Sequence, residues 1–310
     1  MHEIILHHYP ASPFSEKVRL TFGLKGLSWR AVEQPNIMPK PELLPLTGGY
    51  RKIPVMQIGA DVYCDSQCIV RELERRFPKP SVHAGGEATS WAFAVYSDRV
   101  LFMATVVLIF GMMGDNVPRE FAEDRTKLMG GGPGQGFNPT AMKAAVPLMR
   151  ESLRSQLSWL ESQLADGRAF LTGSAAGMAD FTTYHPIWFL GSYYPPAGEI
   201  LAGYPRVAVW KERVRAIGHG TMKPMERGEA LEIARKAEPE TQPRADPGEP
   251  NGLKPGDRVT VMADDYGRDP ISGTLVSSSA NEIALRRSAP EVGDVVVHFP
   301  RIGFVTLKAG

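Results

Sequence analysis

Cysteine is scarce in this chain. Two thiols, Cys64 and Cys68, are all that its 310 residues contain. So close a pair gives no disulfide framework, and nothing else in the sequence resembles a zinc quartet. Charge of one sign is also lacking: 35 basic residues meet 34 acidic ones, for a formal net charge of +1. That balance argues against a nucleic-acid footprint or a polybasic membrane anchor, because both need excess positive charge. Long apolar runs are missing too. The longest, residues 100–113 (VLFMATVVLIFGMM), falls short of the ~20 residues that a membrane span needs and reads as a buried core helix. The opening MHEIILHHYP has no basic segment leading into a long apolar stretch. No secretory signal is therefore expected, and the cytoplasm is the expected compartment.

What is present is ordinary globular composition, with 43% hydrophobic and 22% charged residues. Length alone suggests about two domains. The hydropathy pattern divides the chain further. Residues 3–8 are a short apolar run with β-branched members and read as a strand. Ser12-Pro13-Phe14-Ser15-Glu16 then starts a helix. A hydroxyl can cap it, proline fits the first turn, and Glu16 suits the positive end of the dipole. Val18, Leu20, Phe22 and Leu24 carry that helix to Gly26. Residues 27–34 read as a second strand, 53–58 and 61–64 as two more around Gly59-Ala60, and Asp65-Ser66 as the start of a helix reaching Phe77. This order, βαβ then ββα, makes one small α/β domain over residues 1–80.

From Glu87 the period becomes helical. Met142, Val146, Met149, Leu153, Leu157, Leu160 and Leu164 recur at steps of three and four on one face, with Pro147 expected to bend that helix or mark its start. Residues 86–236 are expected to be all-helical. The Gly-rich run 130–136 has no strand before it and no Gly-Lys-Ser/Thr ending, so it reads as a mobile loop rather than a phosphate cradle. Residues 237–256 are dense in Pro, Gly and charge and read as a linker. Five short strands follow, at 257–262, 273–278, 282–287, 294–299 and 304–308. Exposed edges are a liability in so small a sheet, so residues 257–310 are expected to close into a small SH3-like β-barrel.

Three segments of the first domain carry chemistry. A helix N-terminus offers free N–H groups and a positive dipole end, so a thiol placed there loses its proton more readily. A serine hydroxyl can donate to the same sulfur. Ser12 would then stabilise a substrate thiolate rather than act as a nucleophile; taken alone, the segment reads equally well as a plain helix cap. In Arg51-Lys52-Ile53-Pro54-Val55, proline opens a strand. A cis Ile53–Pro54 bond would turn the Ile53 backbone outward to pair with an extended peptide ligand, whereas a trans edge proline would not. In the third segment Ser66 can cap a helix and present its N–H to a ligand carboxylate, while Asp65 takes an ammonium group.

In this order the three motifs resemble the glutathione transferase superfamily, and most closely its serine-type classes such as tau. The resemblance covers about residues 1–235. It implies a thioredoxin-like N-terminal domain followed by an all-helical domain. By position, Ser12 matches the serine that activates the glutathione thiol, with Phe14 in the same motif. Lys52 matches the lysine near the glycyl carboxylate, with Lys40 as a second lysine at that end. Ile53 and the cis-proline position Pro54 would hold the cysteinyl part. Asp65 and Ser66 match the acidic–serine pair at the γ-glutamyl group, although Asp is one methylene shorter than the usual Glu. Tyr9 is the alternative hydroxyl, since some classes use a tyrosine there.

Residues 171–180 (LTGSAAGMAD) resemble the family's capping segment, with Gly177 at the usual Ser/Thr cap and Asp180 kept. The resemblance further implies glutathione as co-substrate, no metal, a small hydrophobic electrophile and a homodimer. A serine where cysteine-type classes carry a thiol disfavours deglutathionylation. Cys64 and Cys68 are expected as buried, inert thiols. His7 and His8 fall on opposite strand faces and suit structural or solvent-facing roles. Phe102, Met103, Val106, Met112, Met113 and Phe121 are candidates for the electrophile pocket, although core packing explains each of them individually. The alternative function is a non-catalytic glutathione-binding or scaffold protein of the same fold, with the β tail as an interaction module. Some members carry such an extra C-terminal β module, and this chain looks like one of them.

Overall fold

The computed structural model describes residues 2–130 and 136–308. The centre of the Gly-rich run, 131–135, lies outside them, so the loop expected there is not described. The first domain begins with β1 (Ile4–His8), α1 (Pro13–Leu24) and β2 (Ser28–Glu33). A short α2 (Leu44–Thr47) precedes β3 (Val55–Ile58), β4 (Asp61–Cys64) and α3 (Ser66–Arg76). Strands β1 and β2 run parallel across the α1 crossover, and β3 and β4 form an antiparallel hairpin. Both pairings follow the βαβ and ββα readings. Helix α1 starts as its sequence dictates: the Ser12 Oγ accepts the Ser15 N–H at 3.2 Å, and Pro13 follows in the first turn.

The helical domain comprises α4 (Glu87–Tyr96), a π turn (Ser97–Leu101), α5 (Phe102–Met113), a 3₁₀ turn (Gly114–Asn116), α6 (Arg119–Leu128), α7 (Pro139–Gln163), α8 (Met178–Tyr193), α9 (Ala197–Ala202) and α10 (Pro205–Arg215). Here the apolar run of residues 100–113 is part of something longer. Glu87–Asn116 is a continuous helical stretch of 30 residues, long and apolar enough by composition to cross a membrane. It packs instead within the domain, α5 against α7 and α8, and α4 against α8. Leu101, Leu108 and Ile109 join Leu153, Leu157, Leu160, Phe181 and Trp210 in one core. Pro147 lies inside α7.

Gly177 departs from the usual hydroxyl cap for a steric reason. A Cβ on it would stand 2.5 Å from the Val82 carbonyl oxygen. Asp180 supplies the cap alone, accepting from the N–H groups of Gly177 at 3.0 Å and Leu171 at 2.8 Å and from the Trp210 indole at 2.8 Å.

The last part of the chain differs most from expectation. Strand β5 (Thr221–Pro224) returns to the first domain and pairs parallel with β2. Helix α11 (Arg227–Lys236) packs on β2 and on a tail strand, not among the other helices. The five tail strands form as read: β6 (Arg258–Ala263), β7 (Ile271–Ser278), β8 (Glu282–Ala289), β9 (Gly293–Pro300) and β10 (Phe304–Lys308). They do not close into a barrel. They extend the first sheet into one of ten strands, ordered β10-β6-β7-β8-β9-β4-β3-β1-β2-β5. The join is β4 with β9, parallel, with Asp61 opposite Val296 and Tyr63 opposite His298.

The physical reason is the edge. Without the tail, β4 would present unpaired N–H and C=O groups, and β9 covers them. The apolar side agrees. Leu43, Leu46, Val55 and Val62 of the first domain share one core with Val259, Ile271, Leu285, Val297 and Phe299. Residues 237–256 contain no helix or strand of their own, yet they are tied down. The Arg244 N–H reaches the Val276 carbonyl at 3.0 Å, and the Glu240 N–H reaches Asp61 Oδ2 at 2.6 Å.

Candidate functional site

Two helix N-termini and one strand start meet on one side of the first domain. Ser12 caps α1 and is almost fully buried, at 1% exposure. The Tyr9 hydroxyl faces both Ser12 and Arg125. Burial, its main influence, pushes that phenol above the ordinary tyrosine range, so it stays protonated and available as a donor. The two hydroxyls weighed as rivals therefore stand together. Phe14 points away from them toward the helical domain. Its ring meets Phe102 edge-on at 4.8 Å and lies 5.0 Å from the His185 ring.

The Ile53–Pro54 bond is cis. Ile53 precedes the β3 ladder, which pairs His7 with Val55 at that end. Asp65 has φ of 72° and, among the described residues, is the one non-glycine residue in that region. Such a conformation costs about 1–3 kcal/mol and tends to mark functional sites. Asp65 rather than Ser66 caps α3, accepting the Gln67 N–H at 2.8 Å. That frees Ser66 for another role. Its Oγ accepts from the Lys17 ammonium at 3.1 Å, so its own O–H proton remains to donate outward.

Lys17 was not singled out by the sequence. It sits one turn into α1 with no solvent exposure, and its ammonium contacts Asp98 at 2.6 Å. Asp98 in turn accepts from Thr182 at 3.0 Å and His185 at 2.9 Å. Burial would raise the Asp98 carboxyl, but Lys17 and His185 outweigh it and hold it at about 2. Burial also keeps His185 neutral, lowered to about 4. The network ties the floor beneath Ser66 to α8 of the helical domain. A lysine among apolar helix positions gives no warning of it.

The lysine end is more crowded than the motif suggests. The Lys40 ammonium is buried and donates to the Arg51 carbonyl at 2.9 Å. Burial, then Arg125 and Arg51, lower it to about 8. Arg51 pairs with Asp124, which also accepts the Met38 N–H at 3.1 Å. Lys52 pairs with Asp265 at 2.7 Å, and its ammonium stands 4.1 Å from the centre of the Tyr266 ring. Asp265 and Tyr266 belong to the β6–β7 connection, more than two hundred residues away in sequence.

A family model described as "Glutathione S-transferase, N-terminal domain" matches residues 6–81, and one described as "Glutathione S-transferase, C-terminal domain" matches residues 143–213. A GST-like protein from Pseudomonas syringae is 38% identical, with 100% of each chain covered and a TM-score of 0.82. The chain belongs to the glutathione transferase superfamily. Glutathione S-transferase U4 of Arabidopsis thaliana is 31% identical over 65 residues, a match spanning 21% of this chain and 29% of that one. The fold, at 19% identity and a TM-score of 0.51, is also that of a glutathione S-transferase from Methylobacterium radiotolerans solved with glutathione sulfonate. That likeness covers 72% of this chain and 97% of the other.

Cys64 and Cys68 are fully buried, and burial drives both thiols well above their ordinary range. His7 and His8 are also buried, which removes the solvent-facing reading. His7 bonds Gln57 at 3.1 Å, and His8 meets Arg19 at 3.1 Å. The electrophile candidates do not form one wall. Val106 is buried, Met103 and Met112 are exposed, and Phe121 stacks on Phe110 beneath the Arg125 guanidinium. Phe102 meets the motif through the Phe14 ring.

Proposed function

We propose that the protein is a glutathione-dependent transferase in which Ser12 stabilises the glutathione thiolate. The observation that carries this reading is the placement of the Ser12 hydroxyl at a helix N-terminus, beside the protonated Tyr9 hydroxyl, in a domain whose Ile53–Pro54 bond is cis. Ser12 Oγ accepts the Ser15 N–H, which leaves its own proton to donate to sulfur. Tyr9 supplies a second donor. The thiol proton leaves to solvent, the sulfur attacks the electrophilic carbon, and the carbon–leaving-group bond breaks. The helix dipole and both hydroxyls lower the thiol pKa, and fixed orientation does the rest.

In this proposal Ile53 and Pro54 hold the cysteinyl part, and Ser66 with Asp65 receives the γ-glutamyl end. Lys52 and Lys40 lie at the glycyl end. The second substrate is a small hydrophobic electrophile, approaching past Phe14 and Phe102. A cytoplasmic homodimer active in detoxification completes the reading. The experiment is titration of the full chain with glutathione by calorimetry, followed by turnover of a reactive aryl halide, for wild type and Ser12→Ala. Binding with Ser12-dependent conjugation is the expected result; conjugation that survives Ser12→Ala unchanged refutes the assignment. The second reading, a scaffold protein of the same fold, is favoured by the in-chain pairing of Lys52, which takes up the cation that the glycyl carboxylate would meet. A folded chain that neither binds glutathione nor conjugates any electrophile would establish it.

A further inference from the structure

The connection between β6 and β7 reaches across from the tail and lies on Lys52, and it is held there from four sides. The Asp264 N–H donates to the Gly303 carbonyl at 2.9 Å, and the Gly267 N–H to the Leu128 carbonyl of the helical domain at 2.7 Å. Arg99 pairs with the Asp264 carboxylate at 3.1 Å, and Lys52 with Asp265 at 2.7 Å. The backbone there adopts a conformation that favours glycine. Gly267 has φ of 64°, and a Cβ there would stand 2.9 Å from both Leu128 Cδ1 and Lys52 Cε. Tyr266 packs its ring under the Lys52 ammonium, and burial with Asp265 beside it pushes its phenol well up.

The consequence is electrostatic. Lys52 already has a carboxylate partner within the chain, Asp265; farther along this end, Arg51 and Arg125 share Asp124, and Lys40 donates to the neutral Arg51 carbonyl. A free carboxylate arriving at Lys52 must displace Asp265 or sit beside it as a like charge. A neutral end, such as an ester or an amide, meets no such opposition and can accept from Lys52 alongside Asp265.

We propose that Asp265 is a specificity-determining residue of the thiol site, selecting γ-glutamyl-cysteinyl thiols whose end at Lys52 is blocked by an ester or amide over glutathione with its free glycyl carboxylate. The inference rests on the glutathione-site reading above and adds the tail as the part that sets preference. The scale is that of a partly exposed ion pair, worth about fivefold in affinity. The test is calorimetry on the full chain with two probes, glutathione and its glycyl monoethyl ester. Wild type binds the ester at least as tightly as glutathione. Asp265→Asn keeps the shape and the acceptor for the Tyr266 N–H, and moves the affinity ratio about fivefold toward glutathione. Asp265→Glu, which restores a carboxylate, moves the ratio back.

A wild-type preference for glutathione over the ester overturns the inference without any variant and leaves the thiol site standing. An unchanged ratio in a folded Asp265→Asn chain overturns it equally. Failure of wild type to bind either probe removes the thiol reading and the inference together.

Discussion

His298 should bind the tail to the first domain through its charge, and that charge can be titrated. The ring lies on β9 opposite Tyr63 of β4, stacked on it at 4.3 Å. Nε2 meets Asp61 at 3.1 Å and Nδ1 meets Glu282 at 3.0 Å, so both nitrogens face carboxylates and both carry protons. Burial would lower the imidazolium, but the two carboxylates outweigh it and raise the pKa to about 9. In the unfolded chain it returns to about 6.5. A folded value above the unfolded one stabilises fully below about pH 6.5 and is lost as pH climbs through 9. Linkage between those values gives about 2.5 kcal/mol at pH 7 and almost nothing at pH 10. His298→Gln is neutral at every pH and leaves Asp61 buried without its cation. Urea unfolding should find it less stable than wild type by about 2–3 kcal/mol at pH 7. The gap should close by pH 10, because wild type falls toward the variant. A gap that is the same at both pH values, or under about 0.5 kcal/mol at pH 7, would refute the charged-histidine account.

Ser12→Ala removes a hydroxyl donor to a charged sulfur, worth about 1.5–3 kcal/mol, so the pKa of bound glutathione should rise by about one to two units in an ultraviolet thiolate titration. A smaller rise would shift the main role to Tyr9. Asp98→Asn leaves the fully buried Lys17 without its counter-charge and should cost about 3 kcal/mol in thermal or urea unfolding at pH 7. Because the Asp98 carboxyl is held at about 2, its contribution in wild type is present above about pH 4 and fades as pH falls through 2.

The first domain is legible because its signals are local. Ser12-Pro13, Ile53-Pro54 and Asp65-Ser66 each sit where an element begins, and cap, proline and periodicity are properties of neighbouring residues. The tail strands are legible for the same reason, and their five ranges match the structure closely. Their destination is not. Parallel pairing of β4 with β9 joins Asp61 to Val296, and nothing in either segment names the other. The unbroken run Val295-Val296-Val297 in β9 is buried on both faces, the pattern of an interior strand, but it does not say which edge that strand joins. Lys17 was missed because a buried lysine is defined by Asp98 and Ser66, which lie 81 and 49 residues away. The sequence reads Lys52 as a ligand residue because its in-chain partner, Asp265, comes from the segment whose placement no local signal gives.

That placement also decides whether the tail is an accessory. An appended interaction module should be removable. Here removal of residues 257–310 would uncover the β4 edge together with Leu43, Leu46, Val55 and Val62, each with no solvent exposure in the intact chain. Full burial of such side chains contributes about 1.5–3 kcal/mol apiece, so exposing even half of that surface consumes much of a domain's net stability of about 5–15 kcal/mol. The bared edge adds a template for intermolecular pairing. A chain ending at residue 256 should therefore be insoluble or associate into large species on size-exclusion chromatography. A soluble, monodisperse truncation with the wild-type melting temperature would show that the shared core is dispensable and that the tail is a true module. If the truncation fails as expected, a loss of activity on deleting the tail says nothing about a partner. The two functional readings must then be separated by point substitutions at the Lys52–Asp265 contact, where the tail meets the site without bearing the sheet.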